Sequence, residues 1–339
     1  MDDFTLALKG YPHERIPVWF MRQAGRYSES YRKIREKKNI KEICMDPATS
    51  VEVTAAPVNE LGVDAAILFF DILLPAEGMG FSVDFDEGKG PVIGNPFLSE
   101  THGKEISGFQ RDMMPYPLER TVSLFRERMP QTPLIGFSGG PLTMLSYLLK
   151  GTSDRDLIQT RKFIMSDEKV ADSILSELTE TVIQILKIQI KSGCHAVQIF
   201  DSWAGFLPPS MLDWYTERYI TQISSEIGEA TPSIYFSTQT GSSIDILDRS
   251  GFEFLSVDWR CNIADISMSV HQDRGLQGNL DPAIAAYGGE GSVLEAEKIA
   301  SSMKEKTRYI FNLGHGVLPD TPAVNLRRIV DSLHEMVIE

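Results

Sequence analysis

"TPLIGFSGGPLTMLSYLLKG" fills residues 132–151 and changes character half-way along. "TPLIGFSG" is a short β-rich apolar run, whereas "PLTMLSYLLKG" follows a helical pattern. The same couple recurs on both sides of it. Upstream, "RIPVWF" (15–20) precedes a helical stretch that ends near Leu61, and "VDAAILFF" (63–70) follows. Downstream, two long amphipathic segments between Asp154 and Lys191 lead to "HAVQIF" (195–200), and a helix around Pro209 to Ile227 precedes "SIYFST" (233–238). A short helix, "GSSIDILDRSG", leads to "FEFLSVDW" (252–259), and a further one leads to "LQGNLD" (276–281). Another helical segment, beginning at Asp281, leads to "RYIFNLG" (308–314), and a last helix runs to the C terminus.

Strands in strict alternation with helices imply parallel pairing through right-handed crossovers. Eight such units predict an α/β fold of the (β/α)8 TIM-barrel type, a single domain over residues 1–339. One irregular insertion, around residues 81–117, is too long for a simple connection. Within it "FSVDFDEGKGPVIGNP" alternates like a small hairpin and is expected to flank the barrel mouth.

The composition narrows the partners. A formal charge of -14 over 339 residues argues against nucleic acid and against an anionic membrane, because both need a basic face. It leaves room for a local basic pocket that takes an acidic small molecule. Cys44, Cys194 and Cys261 have no paired spacing, so neither a disulfide framework nor a metal site is suggested, and a reducing compartment is expected. "MDDFTLALKGYPHE" lacks the pattern of a signal peptide, and no apolar run approaches the roughly 20 residues of a bilayer span. The expectation is a cytoplasmic location.

In a barrel of this kind the active site lies at the C-terminal ends of the strands. The residues just after the apolar runs are Arg22 and Arg26; Asp71; Gly139 and Gly140; Asp201 and Ser202; Thr238 and Gln239; Asp258 and Arg260; Asp281; and His315. Arg22 and Arg26 could be ordinary solvated arginines. Their place directly after a strand, with Ala24 and Gly25 leaving room for a ligand, favours an anion site, to which Arg35 could add a third cation. Asp71 either caps the next turn or sits desolvated in the mouth, where it needs a cationic or NH-donating ligand. His315, between two glycines, is either a catalytic or carboxylate-binding residue or part of a phosphate loop. Tyr147 taken alone suits the core, Ser202 and Asp201 suit caps, and His195 suits a structural role. Trp203, Trp214 and Trp259 are expected to line or pack the mouth.

Taken together, "PVWFMRQAGRY", "FFDILLPAEGMG", "GFSGGPLTMLSYLLKG", "QIFDSWAG", "VDWR", "GNLDP" and "FNLGHGVLPD" closely resemble the uroporphyrinogen decarboxylase family, in family order from near residue 15 to near residue 320. Phe70 stands before Asp71 where the family usually has Ser, and "SES" follows Tyr27 where "LPE" is usual. The resemblance implies an enzyme that uses no cofactor and converts the four acetate side chains of uroporphyrinogen III to methyls. It implies a homodimer. The substrate carries eight carboxylates, and the resemblance also implies that Arg22, Gln23, Ala24, Gly25 and Arg26 form the substrate-binding segment, that Arg35 makes a further carboxylate contact, that Asp71 holds the pyrrole NH groups, and that Tyr147, Ser202 and His315 complete the site. Arg22, Tyr147 and His315 are candidates for catalytic roles beside Asp71. A related group, the zinc-dependent corrinoid methyltransferases, holds its metal with a His-x-Cys pair and a later Cys. No His in this chain is followed two residues later by Cys, and the strand that would carry the pair reads "IYFSTQT".

Overall fold

A computed structural model describes residues 1–86, 90–97, 108–228 and 231–336. Its strands are β1 (Ala66–Ile67), β2 (Val83–Asp86), β3 (Gly90–Ile93), β4 (Leu134–Gly139), β5 (Ala196–Phe200), β6 (Ser233–Phe236), β7 (Phe254–Ser256), β8 (Gly275–Gln277) and β9 (Tyr309–Ile310). Seven of them form one curled parallel sheet in the order β1-β4-β5-β6-β7-β8-β9. The register runs Phe137↔Gln198, Gln198↔Ile234, Ile234↔Phe254 and Phe254↔Gly275. Successive strands are neighbours because helices carry the chain back between them. The central strands are buried on both faces and therefore read as continuous apolar runs. All six residues of β4 are buried.

β2 and β3 pair antiparallel outside the sheet, Val83↔Ile93 to Asp86↔Gly90. Parts of the expected insertion, residues 87–89 and 98–107, lie outside the described residues.

The first expected strand differs from the others. "RIPVWF" forms no ladder and contributes a single parallel bridge, Val18↔Phe311. Two backbone bonds make that bridge, Phe311 N–H to Pro17 C=O at 2.9 Å and Trp19 N–H to Phe311 C=O at 3.3 Å. Pro17 has no N–H to donate, and it breaks the ladder where a strand would need one. On its other side the segment is held by Asp64. The Asp64 N–H donates to Val18 C=O at 2.8 Å, and the Asp64 carboxylate accepts the Val18 N–H at 2.7 Å. His334 of the last helix, Ala323–Glu335, meets the same carboxylate at 2.9 Å. From the concave side Trp19 Nε1 donates to Gln277 Oε1 at 2.9 Å, and Gln277 Nε2 donates to Gln198 Oε1 at 3.0 Å and Ser256 Oγ at 2.9 Å. This buried polar layer ties the first segment to β5, β7 and β8.

Val18 is fully buried, so Asp64→Ala leaves its N–H without a partner. An unsatisfied buried donor costs about 1–3 kcal/mol. The variant is expected to unfold in urea with stability lowered by that amount. An unchanged midpoint would show that the carboxylate does not hold the segment.

Candidate active site

Three phenylalanines on adjacent strands, Phe137 within β4 and Phe200 and Phe236 at the C-terminal ends of β5 and β6, form the floor of a pocket. Phe137 meets Phe200 edge-on with centroids 5.4 Å apart, and Phe200 meets Phe236 at 6.0 Å. His315 continues the row, 5.8 Å from Phe236. The pocket above them encloses about 240 Å³, and Arg22, Ala24, Asp71, Tyr147, Ser202 and His315 line it together. Pro91 of β3 closes one side, so the hairpin outside the sheet contributes to the wall.

Arg22 is set by a tight turn. Gln23 is fully buried and braces the turn from inside: its Oε1 accepts the Phe20 N–H at 3.0 Å and its Nε2 donates to Ala65 C=O at 3.0 Å. The turn is fastened to the last strand region by Met21 N–H to Asn312 Oδ1 at 3.0 Å and by Val317 N–H to Met21 C=O at 2.8 Å. Arg22 itself has φ +60°, a left-handed conformation uncommon for a residue with a Cβ. Its guanidinium makes no hydrogen bond or ion pair among the described residues and stays available to a ligand. Gly316 allows this placement, because a Cβ there would collide with Arg22 Cδ. Gly314, on the other side of His315, packs against the Trp259 backbone N in the same way.

Asp71 is partly buried beside Arg22. Its carboxylate accepts the Leu73 N–H at 2.8 Å, at the entrance to the 3₁₀ turn Leu74–Met79. The capping role and the pocket role thus fall on one side chain. Burial pushes its pKa from the ordinary 3.8 up to about 6, against the opposing pull of the Leu73 N–H and the Arg22 charge. Tyr147, on helix Pro141–Lys150, faces both groups. Burial and then Asp71 raise its hydroxyl, while Arg22 opposes them. His315 is pushed down to about 4 by burial and by the charges of Arg22 and Arg260, so its imidazole is neutral at neutral pH. The site combines one free guanidinium, one costly carboxylate, a neutral imidazole and a phenol over an aromatic floor.

Other strand-end residues are occupied elsewhere. Asp201 is fully buried and accepts from Thr143 N–H at 3.0 Å, Thr143 Oγ1 at 2.8 Å, Tyr215 at 2.6 Å and Tyr235 at 3.0 Å. It caps the neighbouring helix rather than its own turn. The Ser202 side chain lines the pocket, and its carbonyl accepts Thr238 Oγ1 at 2.7 Å. Gln23 and Gly25 support the turn without lining the pocket. Arg26 and Arg35 lie outside it too, both near the Tyr31 hydroxyl. Tyr31 in turn meets Phe69, a residue of the pocket wall, at a tilt with ring centroids 5.7 Å apart, and Arg35 Nη1 donates to Lys38 C=O at 2.7 Å. His195 accepts the Leu134 N–H at 2.9 Å at the opposite strand ends, a structural contact. Among the described residues no group of three or more His, Cys, Asp or Glu side chains gathers where it could hold a metal ion.

The family described as "Uroporphyrinogen decarboxylase (URO-D)" matches residues 1–336. The chain belongs to the uroporphyrinogen decarboxylase family. Among relatives named uroporphyrinogen decarboxylase, that of Thermoplasma acidophilum is 42% identical over 336 residues and covers 99% of each chain. That of Picrophilus torridus is 41% identical over 334 residues, covering 98% of this chain and 99% of the other. That of Carboxydothermus hydrogenoformans is 38% identical over 339 residues, covering 99% and 96%. A solved methyltransferase from Methanosarcina mazei superposes with a TM-score of 0.79 at 19% identity over 98% of this chain and 97% of that one, a likeness of fold.

The raised pKa of Asp71 has a consequence for stability. A carboxyl whose folded pKa exceeds its unfolded value favours folding below the unfolded pKa, and that contribution is lost as pH rises through the folded value near 6. At pH 8 the ionised carboxylate is therefore a cost. Asp71→Asn is expected to unfold at higher urea at pH 8, by on the order of 1–3 kcal/mol, with the gain gone below pH 4. Equal stability of the two proteins at pH 8 would contradict the raised pKa.

Proposed function

We propose that this protein is an enzyme of haem biosynthesis that decarboxylates the four acetate side chains of uroporphyrinogen III to methyls, giving coproporphyrinogen III. Membership of the family and near-full-length similarity to relatives so named support the reading. The observation that carries it is that the free Arg22 guanidinium and the desolvated Asp71 carboxylate line one pocket over an aromatic floor. A substrate that is anionic at its edge and rich in NH groups at its centre matches both.

The chemistry asks for little more. Loss of carbon dioxide from an acetate leaves an electron pair that needs a sink. Protonation of the pyrrole α-carbon makes the ring an iminium-like cation. Cleavage of the acetate C–C bond then sends its electrons into the ring, releases carbon dioxide and leaves an exocyclic methylene. A second proton converts that methylene to a methyl, and the α-carbon proton is given back, so one proton is consumed per acetate. The substrate is its own sink, and a cofactor-free reaction follows from that. Asp71 faces positive charge that grows along the reaction, which a fixed carboxylate in a water-poor pocket stabilises selectively. Arg22 holds a carboxylate of the ground state. With a pKa of about 4 His315 is a neutral donor or acceptor at working pH rather than a standing acid. Tyr147 and Ser202 place hydroxyls on the same ligand, and the segment Gln23–Arg26 with Arg35 supplies the turn and the outer cations.

The reading extends to architecture. Backbone bonds from Pro17–Trp19 to Phe311 on one side and Asp64 on the other support closure of the sheet into an eight-membered (β/α)8 ring. The shared apolar core, which runs from Phe4 to Leu333, supports one domain over the chain. A homodimer follows from the family resemblance. The free thiols of Cys44, Cys194 and Cys261 support a cytoplasmic setting. No helix among the described residues is long and apolar enough to cross a membrane.

Protein treated with chelator and freed of nucleotide, flavin and pyridoxal phosphate is expected to convert uroporphyrinogen III to coproporphyrinogen III at full rate, followed by chromatography of the oxidised porphyrins. Activity that needs any of these additives would overturn the substrate-as-sink chemistry. In the same assay Asp71→Asn is expected to lose about a hundredfold to a thousandfold in kcat, with KM changed less. Arg22→Ala is expected to raise KM. Near-normal kcat in Asp71→Asn would leave that carboxylate a positioning role only.

A further inference from the structure

Asp201 follows β5 and ties three strand units together. Its N–H donates to Phe236 C=O at 2.9 Å, and Gly140 N–H donates to the carbonyl of the preceding Phe200 at 2.9 Å. Its carboxylate, fully buried, reaches across to the helix Pro141–Lys150, whose N-cap Gly140 has no side chain to close it. Oδ1 accepts Thr143 N–H at 3.0 Å and Thr143 Oγ1 at 2.8 Å. Oδ2 accepts the Tyr215 hydroxyl at 2.6 Å, and that hydroxyl accepts Leu142 N–H at 2.9 Å. Every N–H of the first turn is thereby accounted for, since Pro141 has none. The Tyr235 hydroxyl is a further donor to Oδ2 at 3.0 Å. The fit leaves no slack, because a Cβ at Gly140 would stand 2.2 Å from Asp201 Cγ.

Two pocket hydroxyls depend on this junction. Ser202 is the next residue in the chain and lines the pocket. Thr143 Oγ1 donates to Asp201 and accepts Trp203 N–H at 3.3 Å. Ser202 is therefore held between two residues that bond to one hydroxyl. Tyr147, also in the pocket, follows Thr143 by about one helical turn and shares its face of the helix. Neither the Tyr147 nor the Ser202 hydroxyl makes a hydrogen bond among the described residues. Their places in the pocket come from the backbone that carries them, and Asp201 joins those two pieces of backbone.

Resting on the decarboxylase reading, we propose that Asp201 is a positioning residue for the reaction: by capping the helix of Tyr147 from the strand end that carries Ser202, it sets the spacing of the two hydroxyls against the substrate. A carboxylate suits the task. Ionised, it is an acceptor only and takes all four donors, whereas an amide would turn N–H groups toward hydroxyls that already donate. Its charge is also favoured at a helix N terminus. Misplacement of a substrate-positioning group by about 1 Å costs on the order of a hundredfold in rate, so a small shift of this helix against the strand is enough to matter.

The test is a double-mutant cycle on the kcat of the intact enzyme with uroporphyrinogen III. Asp201→Asn is expected to lower kcat about tenfold to a hundredfold. In a Tyr147→Phe background, where one hydroxyl to be placed is gone, the same change is expected to cost less than about threefold. In an Arg22→Ala background it is expected to cost the full factor, because that cation is set by a different turn. If Asp201→Asn does not fold, Thr143→Val decides the matter in the same three backgrounds: it removes the Oγ1 donor and keeps the branched shape, and Thr143→Ser, which restores the hydroxyl, is expected to recover kcat. A merely structural carboxylate would lower activity by the same factor in every background. That equal loss, an unchanged kcat, or a Thr143→Ser enzyme as slow as Thr143→Val would overturn the proposal. Wild-type protein that turns over no uroporphyrinogen refutes the decarboxylase reading and this proposal with it.

Discussion

The position of Arg22 depends on a segment that has almost no sheet of its own. Pro17–Trp19 holds to its neighbours by one bridge to Phe311 and by the reciprocal bonds of Asp64. Buried hydrogen bonds are costly to leave unmade, and that cost keeps so short a contact in place. Trp19 adds an anchor from within through Gln277, which is bonded in turn to β5 and β7. Where the segment ends, the turn braced by Gln23 begins. Every feature of the cationic side of the pocket, including the room left by Gly316, is referred to that docking.

The pocket then works by contrast. Its floor of Phe137, Phe200 and Phe236 is apolar, and apolar surroundings magnify the few charges beside them. Arg22 lowers both Asp71 and His315, but burial dominates each of them in opposite senses of charge: the carboxyl is driven toward its protonated form and the imidazole toward its neutral one.

Much of this was legible before any coordinates. The alternation of β-rich and helical stretches yields the strand order of the parallel sheet, because local periodicity reports burial. Taking the residue after each apolar run also finds Arg22, Asp71, Ser202 and His315, which the fold gathers in one pocket. What escapes is whatever tertiary contact decides. "RIPVWF" has the apolar content of a strand, yet Pro17 and the side-chain bonds of Asp64 make it a bridge. "RQAGRY" is contiguous, but a tight turn sends Gln23 inward, Arg22 and Ala24 to the pocket and Arg26 outside it, toward Tyr31. Asp201 looks like a cap for its own turn and serves the helix of the neighbouring unit. The phenylalanine floor is invisible as a site because it reads as ordinary core. Its one signal is that Phe200 and Phe236 share a register, which needs the pairing to be known.

Arg22 carries a tension between backbone and side chain. At φ +60° the chain there would be relaxed by Gly or Asn, and the arginine holds a conformation that costs of order 1–3 kcal/mol. Asp71 bears a similar tension, between solvation and charge. A redesign procedure that scored only the comfort of the folded chain would mark these two neighbours as defects and repair both. On the roles proposed for Arg22 and Asp71, the repaired protein would be sturdier and less active, so any directed search for a hardier form of this molecule has to exempt the positions that look most in need of improvement.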